Sequence, residues 1–333
     1  DENWKHRFTY DVTDFQHLLK DSVEIDAFYS GWSSGFSVTL NFEFIEGTPP
    51  RTPIILSNIY KNGAARYAYN NSTDFEANQM PEVKVTTSPN ASSFKLQFVP
   101  TGHGAAGEFT PNVSYIAKVN GSVVGGETIW KDDCGFNAIW PQGGTWIFDR
   151  ANWCPGEAVP IFNHEITPYI TAGDSATFDI NFSSFNPSDD ASYSCAVHLF
   201  QYKQPNFNLE AEVLDIISPS LKDQYSRLNP ICSYPIIKIR NSGAEVLTSL
   251  TIEYGIEGGT MQTQQWTGNL KFMEEEEITL GNLIYDGNKN TFEVSVSNPN
   301  GSTDMHQEND FMSSDFEEVP VDKNQFLVRL KTN

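Results

Sequence analysis

The stretch "DDCGFNAIWPQGGTWIFDRANWCPG", residues 132–156, concentrates the side chains best suited to chemistry. It holds two of the four cysteines, three of the seven tryptophans and the Asp149–Arg150 pair, and it lacks the alternation of a strand. Cys134, Cys154, Cys195 and Cys232 permit three pairings, and their spacings are too wide for a zinc ribbon or a C-x-x-C redox motif. Cys134 and Cys154 close a Gly/Pro-containing loop, so a disulfide is expected there, with an oxidising compartment as its corollary. Cys195 lies in an apparent strand and reads as core, with a Cys195–Cys232 bridge as the alternative. Whether the tryptophans serve structure or chemistry stays open on these residues alone.

The elements that must hold this loop are strands. Segments such as "FSVTLNFEFIEG" (36–47), "EVKVTT", "FKLQFV", "ATFDINF", "YSCAVHLFQY", "PIIKIRN", "SLTIEYGI" and "TFEVSVSN" alternate apolar and polar residues. Gly, Asn, Asp and Pro turns separate them at short intervals, as in sandwiches and jelly rolls. The best helix candidate is "VTDFQHLLKD" (12–21), with Thr13 as N-cap. Breaks fall at "EGTPPRTP" (46–53) and at a long connector over 202–230. Residues 1–46 supply too few elements for a sandwich of their own, so they complete another sheet or follow a missing half-domain. The opening "DENWKH" has neither Met nor an apolar leader, as in a processed chain or a fragment.

Composition excludes several classes. A chain of 333 residues suggests two or three domains. Its formal net charge of −22 opposes nucleic-acid backbones and anionic membrane surfaces. No apolar run is long enough to span a bilayer as a helix. The run "EEEE" (274–277) reads as a solvated turn or edge strand, without the spacing of a calcium loop.

"GGTWIFDRANWCPGEAVP" (143–160), with Cys134 and "GHGAAGEF" (102–109) upstream, resembles the C-terminal domain of the peptide-N-glycosidase F family. "FTYDVTDFQHLL" and "FSVTLNFEFIEGTPP" resemble the second half of that family's N-terminal domain. The resemblance covers roughly residues 5–203. It implies an all-β protein of antiparallel jelly-roll sandwiches: the second half of one over 1–48 and a complete one over 49–203. An appended immunoglobulin-like sandwich is expected over 204–333. The implied activity is hydrolysis of the bond between Asn and the first GlcNAc of N-glycoproteins or glycopeptides, with no cofactor or metal, in a secreted, cell-surface or periplasmic setting.

Carried onto this chain, the family's functional residues match in part. The primary catalytic Asp belongs to a region preceding residue 1, and a second acid falls at Ser30 in "FYSGW". Trp32 matches a tryptophan at the substrate cleft. Glu108 matches the third acid, although the cysteines that flank it in the family are replaced by Ala106 and Thr110. His103, Arg150 and Trp153 match substrate-site positions. Such a set suits a sugar, whose C–H faces lie on aromatic rings and whose hydroxyls meet charged donors and acceptors. An amide also needs a carboxylate to orient or deprotonate water.

Each residue has a plainer reading. Trp140 and Trp146 read as core plugs before sugar platforms, and Trp153 as either. Arg150 pairs equally well with Asp149 or Asp133, His103 reads as an exposed loop residue, and Asp132 and Asp133 read as loop anchors. The family's architectural kinship with copper monooxygenases adds a minor alternative, but His103, His164, His198 and His306 are scattered. A glycan amidase impaired in this chain is the leading expectation, and a non-catalytic glycan-binding relative the rival.

Overall fold

The computed structural model describes residues 5–26, 37–60, 65–68, 75–183, 191–229, 234–285 and 289–317. Its strands, in chain order, are β1 Arg51–Asn58, β2 Ala65–Ala68, β3 Val83–Thr86, β4 Ser93–His103, β5 Tyr115–Val119, β6 Ser122–Gly125, β7 Phe162–Glu165, β8 Ser175–Phe182 and β9 Ser192–Pro205. They continue with β10 Ala211–Ser218, β11 Ile236–Asn241, β12 Leu247–Ile256, β13 Gln262–Leu270, β14 Glu275–Thr279, β15 Thr291–Ser297 and β16 Phe311–Asp315. All recorded strand pairs are antiparallel, which gives the all-β sandwich class expected from the alternation. The chain divides into two compact units, Thr9–Asn206, and Phe207–Asn333 with Asp1–Phe8.

In the unit Thr9–Asn206, one sheet runs β1-β9-β4-β7 with β2 also on β9, and the other runs β3-β8-β5-β6. Alternate residues of the central strands point inward: Phe94, Leu96 and Phe98 on β4, Phe178, Ile180 and Phe182 on β8, and Tyr193, Cys195, Val197 and Leu199 on β9. Phe98 meets Tyr115 edge-on at 4.7 Å and Phe182 at 6.1 Å, the arrangement aromatic quadrupoles favour. Cys195 is a buried free thiol of this core, and burial pushes its ionisation far above the ordinary value. The alternative Cys195–Cys232 bridge is therefore set aside. Cys232 itself lies outside the described residues.

Residues 9–26 and 37–48 group with this unit and form no strand. The helix expected over 12–21 reduces to one 3-10 turn, Thr13–Phe15, with Thr13 inside it rather than capping it. The Thr13 backbone N–H donates to Asp11 instead, and Leu18 remains 48% exposed. Ten residues with no buried apolar stripe cannot offset helix nucleation. Asp14 pairs with Lys95, and Phe15 stands edge-on to Phe200 at 5.3 Å, so this segment covers the outer face of the first sheet. The strand expected from "FSVTLNFEFIEG" is absent among the described residues: Val38, Leu40, Phe42 and Phe44 are all exposed. Alternation specifies a strand only where a second strand accepts its hydrogen bonds.

In the unit containing Phe207–Asn333, sheets β10-β11-β14 and β13-β12-β15-β16 enclose Ile216, Ile239, Ile252, Trp266, Phe292 and Val294. The connector expected over 202–230 instead contributes the end of β9 and all of β10. Irregular register at Val213/Asp215 and Ile216/Ser218 breaks the alternation that marks a strand in the sequence. The run 274–277 enters β14 at a sheet edge, where its charges discourage further pairing.

Removing the Phe98 ring should open a cavity between both sheets of the first unit. Phe98→Ala is expected to cost about 3–5 kcal/mol of that unit's stability, read as a lower denaturant midpoint in chemical unfolding.

Candidate functional site

The site begins where β4 ends. Thr101, Gly102 and His103 close the strand, Gly104 turns the chain at φ 76°, and the short helix α1 follows over Ala105–Glu108. A Cβ at Gly102 would overlap the Gly107 carbonyl oxygen and the Ala151 methyl, so only glycine lets these three segments meet. The contact is fixed by hydrogen bonds from Gly102 N–H to Ala151 O at 3.0 Å and from Ala151 N–H to Glu108 O at 2.9 Å. Arg150 and Lys131 exchange backbone hydrogen bonds at 2.8 and 3.1 Å on the other side. The segment around Arg150 is thereby held at both edges without belonging to a regular strand.

The expected disulfide is present: Cys134 and Cys154 are bonded, with Cα atoms 5.3 Å apart. Asn152, buried at φ 62°, reinforces the loop by donating to the carbonyls of Pro100 and Pro160 at 2.8 and 3.1 Å. Lys131 sits between Asp133 and Glu157, at 2.6 and 3.1 Å. Asp133, Cys154 and Glu157 have donor atoms within 4.8 Å of one another. They make no metal site, because the sulfur is oxidised and an ammonium bridges the carboxylates. Burial raises Glu157 above its ordinary value, against the opposing pull of Lys131.

Arg150 is the centre of the cluster, only 3% exposed. Its Nε donates to Glu108 Oε1 at 2.6 Å, and its Nη2 donates to the carbonyl and hydroxyl oxygens of Thr145 at 2.7 and 2.8 Å. The pairing with Asp149 or Asp133 read from the sequence is thus replaced by one with Glu108. Nη1 is buried and has no acceptor. The guanidinium lies over the Trp153 ring at 4.9 Å and the Phe109 ring at 5.2 Å. Burial lowers its pKa, which the Glu108 charge opposes. It nevertheless keeps its proton at any physiological pH.

Trp153 donates its indole N–H to Gly102 O at 2.8 Å, and its ring lies 5.5 Å from that of His103. His103 Nε2 meets the Thr101 hydroxyl at 2.8 Å. His103 is half-buried at the end of β4, a correction to its reading as an exposed loop residue. Glu108, Arg150, Trp153 and His103, far apart in sequence, therefore form one continuous cluster. Trp32 and Ser30 lie outside the described residues.

Residues not singled out in the sequence complete the surroundings. Thr145 clamps the guanidinium, while Phe109 and Phe148 stand edge-on at 6.4 Å and are 39% and 52% exposed. Nothing in the spacing marks Thr145, since an irregular loop has no period to place it. Trp140 is 58% exposed, so its reading as a core plug is withdrawn, and Trp146 is half-buried.

Residues 68–210 match the family model for the C-terminal part of peptide-N-glycosidase F, a span that contains this whole cluster. The chain is peptide-N-glycosidase F-like. A curated relative, the peptide-N(4)-(N-acetyl-beta-D-glucosaminyl)asparagine amidase F of Elizabethkingia miricola, is 25% identical over 226 residues. The aligned part is 61% of this chain and 60% of the relative, so the chain spans less than two thirds of that enzyme. Among solved structures, PNGase F, a glycosylasparaginase from Flavobacterium meningosepticum, is similar at 20% identity and a TM-score of 0.40, covering 48% of this chain and 55% of that one. PNGF-II is similar at 19% and 0.33, covering 45% and 30%. The likeness rests on the sequence matches. No described helix is long and apolar enough to cross a membrane.

The disulfide closes the loop that carries Arg150 and Trp153. Cys134→Ser with Cys154→Ser, or reduction by dithiothreitol, is expected to remove about 3 kcal/mol from the stability of this unit. Denaturant unfolding of oxidised and reduced protein measures it.

Proposed function

We propose that Glu108, Arg150, Trp153 and His103 form a glycan-binding wall in a secreted or periplasmic amidase of the peptide-N-glycosidase F type. The substrate class is the Asn–GlcNAc linkage of N-glycoproteins or glycopeptides. One observation carries the reading: Arg150 Nη1 is a buried cationic donor without an acceptor, beside a carboxylate and between two aromatic faces. An orphaned donor of this kind costs free energy unless a ligand oxygen meets it. A local movement that uncovers Nη1 would let a sugar hydroxyl or the scissile amide oxygen meet it, with Glu108, which is partly exposed, accepting from a neighbouring hydroxyl or water.

The arrangement favours a positioning role for Glu108. Glu108 Oε1 is already engaged by the Arg150 guanidinium at 2.6 Å, which holds the carboxylate in place. Amide hydrolysis therefore calls for a second acid to activate water, the role of the catalytic Asp that the family resemblance implies. The same ion pair favours the second reading, a relative that binds glycans or glycoproteins without cleaving them, as does Ser30 at an expected acid position.

Binding of an N-glycopeptide, measured by calorimetry, tests the shared part of both readings. Trp153→Ala should weaken it about tenfold, equivalent to about 1.4 kcal/mol. Release of glycan from a denatured glycoprotein, followed by gel shift, separates them: release that falls in Glu108→Gln supports the amidase, and binding without release supports the non-catalytic relative. A folded chain that neither binds nor releases would overturn both.

A further inference from the structure

The unit containing Phe207–Asn333 buries more negative charge than it neutralises. Glu210, just before β10, is fully buried. Its Oε1 accepts from the Asn309 side-chain amide at 2.8 Å, while its Oε2 is buried with no partner. The loop between β15 and β16 brings Asp304, Asn309 and Asp310 to the same place. Asp304 is 7% exposed and accepts from the backbone N–H groups of Ala211 and His306 at 2.9 and 2.8 Å. Asp310 Oδ1 and Asn309 Oδ1 are, like Glu210 Oε2, buried oxygens without a hydrogen-bond donor. Glu212 adjoins them but is balanced by Arg240 at 2.6 Å. Among the described residues no Lys or Arg pairs with Glu210, Asp304 or Asp310.

We propose that Glu210, Asp304, Asn309 and Asp310 form a calcium site that ties the start of β10 to the loop preceding β16. Every donor is a hard oxygen, the choice of calcium and magnesium rather than of zinc or copper. Three uncompensated carboxylates and a neutral amide oxygen match a divalent ion, and three of the oxygens lack any other partner. No three of these carboxylates have oxygens mutually within 4.8 Å, so binding an ion requires side-chain rotation. A divalent ion draws them together, and rotation of the Asn309 amide turns its oxygen toward the ion. Calcium tolerates irregular and expanded geometry, whereas magnesium demands a tight octahedron. The sequence conceals the site because its donors come from two segments nearly a hundred positions apart.

The test is calorimetric titration of the chelator-treated full chain with calcium chloride, alongside thermal unfolding with and without about 1 mM calcium. The expected result is one ion bound per chain and a midpoint raised by several degrees for the transition of this unit, with a smaller rise in magnesium. Asp310→Asn, whose side chain is half-exposed, should fold and lose most of the calcium-dependent rise, and Glu210→Gln should do the same. Absence of both heat and midpoint shift in the wild-type chain would overturn the proposal whether or not the variants fold. An undiminished calcium shift in Asp310→Asn would overturn it too. So would a wild-type chain stabilised by acidification and indifferent to calcium, because the cluster would then hold protons in place of an ion.

Discussion

Arg150 imposes the constraint on which the surrounding site depends. A guanidinium exposed by only 3% must find acceptors inside the protein, because the cost of stripping its water is recovered only through well-made hydrogen bonds. Glu108 and Thr145 supply three of them, and the ring faces of Trp153 and Phe109 lie against the rest. Each supplier then needs its own support. Glu108 is placed by α1, which requires glycine at 102 to approach the end of β4 and passes close to Ser192 of β9 at Gly107. Trp153 is placed by its bond to Gly102 O and by the neighbouring disulfide. The irregular loop is consequently as well determined as a strand.

That economy explains why an aromatic-rich stretch needs no sheet of its own. Its backbone groups pair one by one with Lys131, Gly102 and Glu108 in place of a ladder, while the Asn152 side chain reaches the carbonyls of Pro100 and Pro160. The exposed rings of Phe109, Trp140 and Phe148 are free to face solvent because core packing in this unit is already supplied by β4, β5, β8 and β9. Rigid support of this kind fixes the rings while their faces remain exposed.

The two units treat buried charge differently. Around Arg150 a single cation meets one carboxylate, and one donor is left over. Around Glu210 the acceptors outnumber the cations, with Arg240 committed to Glu212. Both imbalances are unusual in folded proteins, where buried polar groups are almost always paired. Each leaves buried polar atoms unmet, donors in the first case and acceptors in the second.

Much of the architecture was legible in the sequence. Period-two alternation located β3, β4, β8, β9, β11, β12 and β15, because a strand packed on one face must alternate whatever its partner is. Local chemistry likewise marked the Cys134–Cys154 loop. Context decided the rest. Residues 36–47 alternate as well as any strand but have no neighbouring edge among the described residues, and β10 was hidden by its own register irregularities. The short 3-10 turn at Thr13–Phe15 reflects helix propensity without a core face to sustain it. Which acid Arg150 meets, and the gathering of Glu210 with Asp304 and Asp310, depend on segments distant in the chain. Such pairings arise from strand order and loop closure, and no local periodicity encodes them.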